Sequence, residues 1–236
     1  IAMGEFDSDD YNLNRDLYQF SIFNSAFLAE PDRGLTDRVY NKIHLVPFAE
    51  GIPYVQRLKP LVNLISAVVG MLPFGRGTDY TIYDVKGRTS GDGPLRFGVL
   101  ICYESCYPRL SRRFVRTGAE MLVVITNDAW YETTAGPAQH QMQSVFRAVE
   151  TRRWIVRCAN HGISCFISPL GRIELESGLA TEAALRRSVQ GVKELTFYAR
   201  RGDLFGWLAL AITIGFIAAS AAARQKAKVK RQKSEI

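Results

Sequence analysis

The sequence predicts an α/β domain followed by a single transmembrane helix. Short apolar runs rich in β-prone residues alternate with helical segments along most of the chain, which is typical of α/β folds. A run of twenty residues without a charge follows, Leu204–Ala223, and a basic cluster comes directly after it. With 236 residues, 47% of them apolar, the chain has ample material for one domain of about 200 residues and an appendage.

Two segments near the start predict a β-hairpin. Residues 18–29 and 38–47 have strand composition, and the string EPDRGLTD between them is typical of a turn. The opening string IAMGEFD also has strand composition, and no signal peptide precedes it. We therefore expect the chain to be a piece of a longer protein.

The middle of the chain predicts two buried strands, Leu95–Cys102 and Met121–Thr126, separated by a short helix. The segment 136–154 has Pro137 in its first turn and apolar residues at helical spacing, so it predicts an amphipathic helix. These apolar residues are Met142, Val145, Phe146 and Val149. Three further strands are predicted at 155–158, 164–168 and 173–175, and together the elements favour an α/β sandwich.

One apolar segment does not fit this alternation. Residues 55–75, VQRLKPLVNLISAVVGMLPFG, are bracketed by Pro53, Pro60 and Pro73. A core helix is one interpretation. On a membrane-bound protein, the segment could instead lie in the membrane interface as a lid that admits a lipid chain.

The distribution of charge favours a membrane protein over a nucleic-acid-binding one. The net charge is +7, but residues 224–236 carry six basic residues against Glu235, which leaves about +2 for the rest. Twenty helical residues span about 30 Å, the thickness of a bilayer's hydrocarbon core. Trp207 near one end is a suitable interfacial aromatic, and the positive-inside rule predicts that the basic tail is cytoplasmic. The preceding domain then lies on the outer face.

The string LRFGVLICYESC places Cys102 where a buried strand gives way to a turn. Reactive groups often occupy such strand ends in α/β proteins, although an inert buried cysteine is the plain alternative. A cysteine nucleophile needs a nearby cation or donor and a group for proton transfer. Lys42, Glu50 and Glu104 are candidates, although each taken alone is typical of a solvated surface residue. The spacing of the four cysteines does not indicate a structural metal.

Six separated strings, in order, resemble the carbon–nitrogen hydrolase (nitrilase) superfamily and, more narrowly, the apolipoprotein N-acyltransferases. They are YNKIHLVPFAE (40–50), ICYES (101–105), NDAWY (127–131), QHQMQSVFRAVETRRW (139–154), NHGIS (160–164) and FYARRGD (197–203). The resemblance implies a nitrilase-like αββα sandwich, N-terminally incomplete, over residues 1–203. It also implies a transmembrane helix at 204–223 and a basic cytoplasmic tail at 224–236.

The resemblance also implies roles for individual residues. Cys102 matches the family's nucleophile and Lys42 the lysine of its triad. Glu50 and Glu104 match the two further glutamates near the nucleophile, and we expect all four residues to be catalytic. Tyr103 and Trp130 match residues that line the substrate pocket. The triad's first glutamate belongs to a Pro-Glu string that this sequence does not contain.

Four other polar residues are given structural interpretations. His140 is interpreted as a helix-start residue and His161 as a loop residue. Arg147 and Glu150 are expected to make structural contacts on the helix.

The implied reaction transfers an acyl chain in two chemical steps. As a whole it is the last reaction of bacterial lipoprotein maturation. Cys102 takes the chain from a membrane phospholipid as a thioester, and the α-amine of an apolipoprotein's N-terminal diacylglyceryl-cysteine then accepts it. No metal or organic cofactor is expected. The implied location is the bacterial plasma (inner) membrane, with the catalytic domain on the periplasmic or outer face. A membrane-tethered amidase and an inactive membrane-anchored fragment are the alternatives.

Overall fold

The computed structural model describes residues 2–3, 22–31, 34–51, 74–85, 93–132 and 134–234, with side chains given as far as 224. Within these residues the strands are β1 (Ala2–Met3), β2 (Ile22–Phe23), β3 (Ser25–Glu30), β4 (Gly34–Asn41), β5 (Ile82–Val85), β6 (Leu95–Ile101), β7 (Met121–Asn127), β8 (Trp154–Asn160), β9 (Cys165–Ile167) and β10 (Ile173–Glu176). The α-helices are α1 (Pro108–Thr117), α2 (Gly136–Thr151), α3 (Phe197–Arg201) and α4 (Leu204–Ser234). Two 3₁₀ turns lie at Cys102–Cys106 and Ala129–Tyr131.

The main sheet has six strands in the order β10-β9-β8-β7-β6-β5. Its centre, β6-β7-β8, is parallel, and the strands on either side pair antiparallel. Parallel neighbours require crossover connections, which α1 and α2 provide. The predicted mixed α/β architecture is confirmed. Because β6, β7 and β8 run in one direction, the residues that follow them meet at one edge of the sheet, where Cys102 lies.

The predicted hairpin is also present, with shorter strands than expected. Strands β3 and β4 pair antiparallel, with Ser25 opposite Asn41. The hairpin packs beside the β5–β6 end of the sheet, where the Tyr83 hydroxyl donates to the Ala26 carbonyl at 2.7 Å. The ring of Tyr40 meets that of Phe114 edge-on at 5.3 Å. The end of β4 is thereby brought close to α1.

Two sequence interpretations fall on parts of the chain outside the described residues. Most of the apolar segment predicted as a core helix or lid, residues 55–73, lies there, as do residues 18–21 of the first hairpin strand. Of the strand predicted at the start of the chain, Ala2–Met3 pairs with Ile22–Phe23.

Helix α2 is confirmed, but its apolar stripe is not its buried face. Phe146 is 52% exposed, and Met142 and Val149 are also exposed. The buried face is polar or small instead, and its members are His140, Gln141, Ser144, Arg147, Ala148 and Thr151. Small side chains at three of these positions let the helix approach its neighbours, and the larger polar ones find partners there. The periodicity therefore predicted the helix correctly and its orientation wrongly.

The chain divides into two compact units, residues 1–199 and 200–236. The second unit consists mostly of α4. The segment Leu204–Arg224 of this helix has a mean hydropathy of 2.0, and its most apolar stretch is 0% buried. Among the described residues it is the one helix long and apolar enough to cross a membrane. Its exposed side chains include Phe205, Trp207 and Phe216. Apolar surface of this extent is unfavourable in water, which is consistent with membrane anchoring.

Gly98 provides a test of the packing beneath the predicted nucleophile. A Cβ at this position would lie 2.5 Å from the ring of Phe114, so α1 approaches β6 closely only because no side chain is present. We expect Gly98→Ala to lower the free energy of unfolding by about 1–3 kcal/mol, the usual cost of overpacking a core. Thermal denaturation of the detergent-solubilised protein measures it. Gly93→Ala is the matched control, since nothing lies within 4 Å of its Cβ position. Equal melting temperatures for the two variants would contradict this account.

Candidate active site

Cys102 lies where its strand turns sharply into a 3₁₀ turn. Strand β6 ends at Ile101, and Cys102 adopts a φ of 54°, in the left-handed region that residues other than glycine rarely occupy. Such a conformation costs about 1–3 kcal/mol and persists only where the surroundings enforce it. Cys102 is half-buried, so the turn leaves it partly accessible at the sheet edge.

Lys42 follows β4 directly and is completely buried. Its Nζ donates to both oxygens of Glu50, at 2.9 and 2.7 Å. Glu50 also accepts from the backbone N–H of Val46 at 2.8 Å and from Nδ2 of Asn24 at 3.1 Å. A buried ammonium group needs a counter-charge of this kind, since desolvation otherwise disfavours its charged form. Two of the predicted site residues are therefore in direct contact.

Glu104 connects the loop that follows β4 from Lys42 onward (the Lys42 loop) to the 3₁₀ turn Cys102–Cys106 (the Cys102 turn). Its carboxylate accepts the N–H groups of Ile43 and His44 at 2.7 and 2.9 Å, and that of Ile101 at 2.8 Å. The hydroxyl of Tyr40 lies 2.9 Å from both oxygens. Burial raises the pKa of Glu104 above its ordinary value, although these hydrogen bonds lower it in part. The predicted catalytic role of Glu104 stays a prediction, and its contacts are those of a positioning residue.

The two predicted pocket residues lie in different surroundings. Tyr103 packs edge-on against Tyr107 at 5.3 Å, and Tyr107 stacks on His44 of the Lys42 loop at 4.3 Å. Tyr103 thus lies beside the other predicted site residues. Trp130, in the 3₁₀ turn after β7, is 88% exposed. Its role in a pocket stays a prediction.

A buried polar network lies on the other side of the Cys102 turn. Asp128 and Arg157, both completely buried, form an ion pair at 2.7 Å. The hydroxyl of Thr126 donates to Asp128 at 2.9 Å, and Nδ1 of His140 contacts the same oxygen at 2.8 Å. Nε2 of His140 reaches Ser105 at 2.9 Å. His140 is therefore a buried connecting residue, and the interpretation of it as a helix-start residue missed these contacts.

Gly162 allows this network to pack. A Cβ at position 162 would lie 2.4 Å from Oδ2 of Asp128. The loop after β8 therefore passes close to the carboxylate only because the residue is glycine. His161 lies in this loop, as predicted, and has a positive φ of 51°.

Arg147 and Glu150 form the structural contacts expected of them. They make a two-point ion pair at 2.8 and 2.7 Å. Arg147 also donates to the carbonyl of Cys106 at 3.2 Å, which attaches α2 to the end of the nucleophile turn. Within the described residues, no group of three or more His, Cys, Asp or Glu side chains is arranged to hold a metal ion.

The fold is a mixed α/β sheet with a cysteine at the end of a central parallel strand, and the chain belongs to the carbon–nitrogen hydrolase family, whose model matches residues 5–190. Its similar relatives include the apolipoprotein N-acyltransferase of Geobacter metallireducens, 40% identical over 197 residues that make up 84% of this chain and 36% of the relative. That of Chlorobaculum tepidum is 35% identical over 88% of this chain and 38% of the relative. The chain thus spans little more than a third of the length of these relatives.

Among solved structures, the chain is similar to Nit3 of Saccharomyces cerevisiae, a member of branch 10 of the nitrilase superfamily. The TM-score is 0.47 at 22% identity, covering 68% of this chain and 51% of that chain.

Replacing Glu104 with glutamine tests the connection between the two loops. The amide group would place a donor where the carboxylate now accepts a backbone N–H, leaving buried donors unpaired. We expect Glu104→Gln to lower the free energy of unfolding by about 1–3 kcal/mol. Chemical denaturation measures the change, with Glu182→Gln, whose parent residue is exposed, as the control. A Glu104→Gln protein as stable as the control would show that the connection contributes little.

The ion pair of Asp128 predicts a pH dependence of stability. Burial alone would raise the pKa of Asp128, but the hydrogen bond from His140 and the charge of Arg157 outweigh it, and the net pKa lies below its ordinary value. The stabilisation is therefore complete above the unfolded-state pKa of about 3.9 and is lost as pH falls through the folded-state pKa. We expect the difference in melting temperature between wild type and Asp128→Asn to be largest above about pH 5. It should narrow below about pH 4, and a gap that stays constant to pH 3 would contradict this.

Proposed function

We propose that the chain is the catalytic domain and following membrane span of an N-acyltransferase that acylates lipoproteins. The observation that carries the proposal is its 35–40% identity, over more than four-fifths of the chain, to relatives named apolipoprotein N-acyltransferase. The strained Cys102 turn and the buried Lys42–Glu50 pair support a cysteine nucleophile in a charged, partly enclosed site.

In the first step, the Cys102 thiolate attacks the ester carbonyl of a membrane phospholipid. The new bond joins sulfur to the acyl carbon, the ester C–O bond breaks, and lysophospholipid leaves with the proton that the Cys102 thiol gave up. Lys42 supplies positive charge toward the developing oxyanion. Glu50 holds Lys42 in place, and Glu104 keeps its loop beside the Cys102 turn. Tyr103 and Trp130 offer aromatic surface for the substrate.

In the second step, the α-amine of a lipoprotein's N-terminal diacylglyceryl-cysteine attacks the thioester. The C–N bond forms, the C–S bond breaks, the amine loses a proton and the Cys102 thiol is regenerated. The proton acceptor is assigned by the resemblance to a glutamate in a string that this chain does not contain. Both substrates carry acyl chains in the outer leaflet, so a membrane-anchored domain meets them at the bilayer surface.

Cys102 should carry the acyl intermediate. Incubation of the natural full-length protein with phospholipid should leave an acyl mass on Cys102 that hydroxylamine removes, as expected of a thioester. Cys102→Ala should abolish it, and Lys42→Ala should slow its formation by a factor of about 10² or more, the scale for losing an oxyanion-stabilising group. Mass spectrometry of the peptide that contains Cys102 and Cys106 identifies the acylated residue.

Cys106→Ala is the matched control for this experiment. Cys106 lies at the other end of the same turn, and burial raises the pKa of its thiol, which disfavours a thiolate there. The variant should retain the acyl group on Cys102. An acyl group on Cys106, or turnover by Cys102→Ala, would overturn the mechanism. Ammonia release from small amides without acyl transfer would favour the amidase alternative.

The membrane topology follows from α4 and its basic tail. We infer that residues 224–236 are cytoplasmic and that the catalytic domain lies on the outer, periplasmic face of the bacterial inner membrane. A reporter fused after Ile236 should be active only in the cytoplasm, and one inserted near Asp32 only outside it. If both reporters were active on the same side of the membrane, a single membrane span between Asp32 and Ile236 would be refuted.

A further inference from the structure

Ser105, His140 and Asp128 form a hydrogen-bonded line with the geometry of a serine–histidine–aspartate triad. Oγ of Ser105 lies 2.9 Å from Nε2 of His140, and Nδ1 of His140 lies 2.8 Å from Oδ1 of Asp128. A carboxylate only accepts hydrogen bonds, so Nδ1 carries a proton and donates it to Asp128. Ser105 and Asp128 are completely buried and His140 is 4% exposed.

The line does not form a second nucleophilic site, because Ser105 is closed to substrate. Its hydroxyl donates to the carbonyl of Cys102 at 3.1 Å. Nε2 of His140 lies at the same distance from that carbonyl oxygen, and because a carbonyl oxygen only accepts, Nε2 acts as a donor there, as Nδ1 does toward Asp128, while the Ser105 oxygen accepts from Nε2. Both groups therefore converge on the backbone of the nucleophile itself.

The Cys102 backbone requires such support. Its left-handed conformation is strained, and the direction of its carbonyl is fixed by the same backbone rotation that shapes the turn. Two polar side chains aimed at the carbonyl oxygen favour this one orientation over relaxed ones. On the preceding side, Glu104 accepts the N–H of Ile101, so the turn is held from both sides.

His140 is in turn oriented by groups from two neighbouring strands. Asp128, directly after β7, accepts from Nδ1, while Thr126 of β7 and Arg157 of β8 hold the carboxylate in place. A histidine whose Nδ1 is fixed by a carboxylate directs Nε2 along a set line, as in a catalytic triad. Here that line ends at Ser105 and the Cys102 carbonyl.

We propose that Asp128, His140 and Ser105 are positioning residues that hold the Cys102 turn in its strained, attack-ready conformation. The kinetic part rests on the proposed function, because it concerns thioester formation at Cys102. The effect on thiol reactivity does not depend on which substrate the enzyme uses.

Two histidine replacements separate positioning from simple packing. In glutamine the side-chain amide nitrogen can occupy the place of Nε2, whereas in asparagine it can occupy only that of Nδ1. His140→Gln therefore retains a donor for the Cys102 carbonyl, and His140→Asn loses it. We expect His140→Asn to slow single-turnover thioester formation by about 10²-fold, which is the scale of an ångström-sized misplacement of a reacting group. The phospholipid concentration that gives half the maximal rate should be unchanged. His140→Gln should retain most of the rate.

Ser105→Ala is the second variant, since the loss of one hydroxyl leaves the fold least disturbed, and it should give an intermediate rate. Gln139→Ala, at the exposed position beside His140, is the control and should match wild type. All variants are made in the natural full-length protein. Each is assayed at the same number of degrees below its own melting temperature. Equal rates for His140→Gln and His140→Asn, or wild-type rates for Ser105→Ala, would overturn the proposal.

Alkylation by iodoacetamide keeps the test independent of the acyltransferase reaction. The labelling rate of Cys102 is measured relative to that of the exposed Cys158 in the same molecule. The ratio should fall in the order wild type, His140→Gln, Ser105→Ala, His140→Asn. If no thioester forms in any protein but this order holds, the proposed function fails and the positioning role stands. A ratio that is the same in all four proteins would refute the positioning role.

Discussion

The architecture of the site depends on one buried carboxylate. Glu104 accepts N–H groups from both sides of the candidate site, from Ile101 just before Cys102 and from Ile43 and His44 just after Lys42. Cys102 and Lys42 are far apart in the sequence and follow strands of different sheets, and this carboxylate ties their backbones together. Burial raises the pKa of Glu104, because desolvation disfavours the charged form. Three backbone N–H groups and a tyrosine hydroxyl offset part of that cost.

A second buried acid acts on the opposite side of the same turn. Asp128 reaches Cys102 indirectly, through His140, and its charge is balanced by Arg157. The two carboxylates thus differ in their means of compensation, with backbone dipoles around Glu104 and a full positive charge beside Asp128. Breaking a fully buried ion pair by removing one partner typically costs about 3–5 kcal/mol, because the other charge is left uncompensated.

The central strands β6, β7 and β8 could be predicted from sequence because uninterrupted apolar runs have few alternatives to a buried parallel strand, whereas the edge strand β5 (Ile82–Val85) was not predicted. The position of Cys102 at a strand end followed from the same pattern. The inward face of α2 could not be predicted, since periodicity gives the width of an apolar stripe and not the neighbour it meets. Taken alone, Glu104 was interpreted as a solvated surface residue and His140 as a helix-start residue, so the buried contacts of both were missed. Arg157 was the sequence feature that could have indicated the buried polar network, because a charged residue inside the strand-like run WIVRCAN needs a buried partner.

The left-handed backbone at position 102 sets two requirements against each other. The conformation suits glycine, whereas the proposed chemistry needs a thiol, so under that proposal the reactive residue is not the one that the backbone favours. Natural proteins commonly accept such a trade-off between stability and activity at their reactive centres. Glycine at this position would relieve the strain, but it would remove the thiol on which the proposed reaction depends.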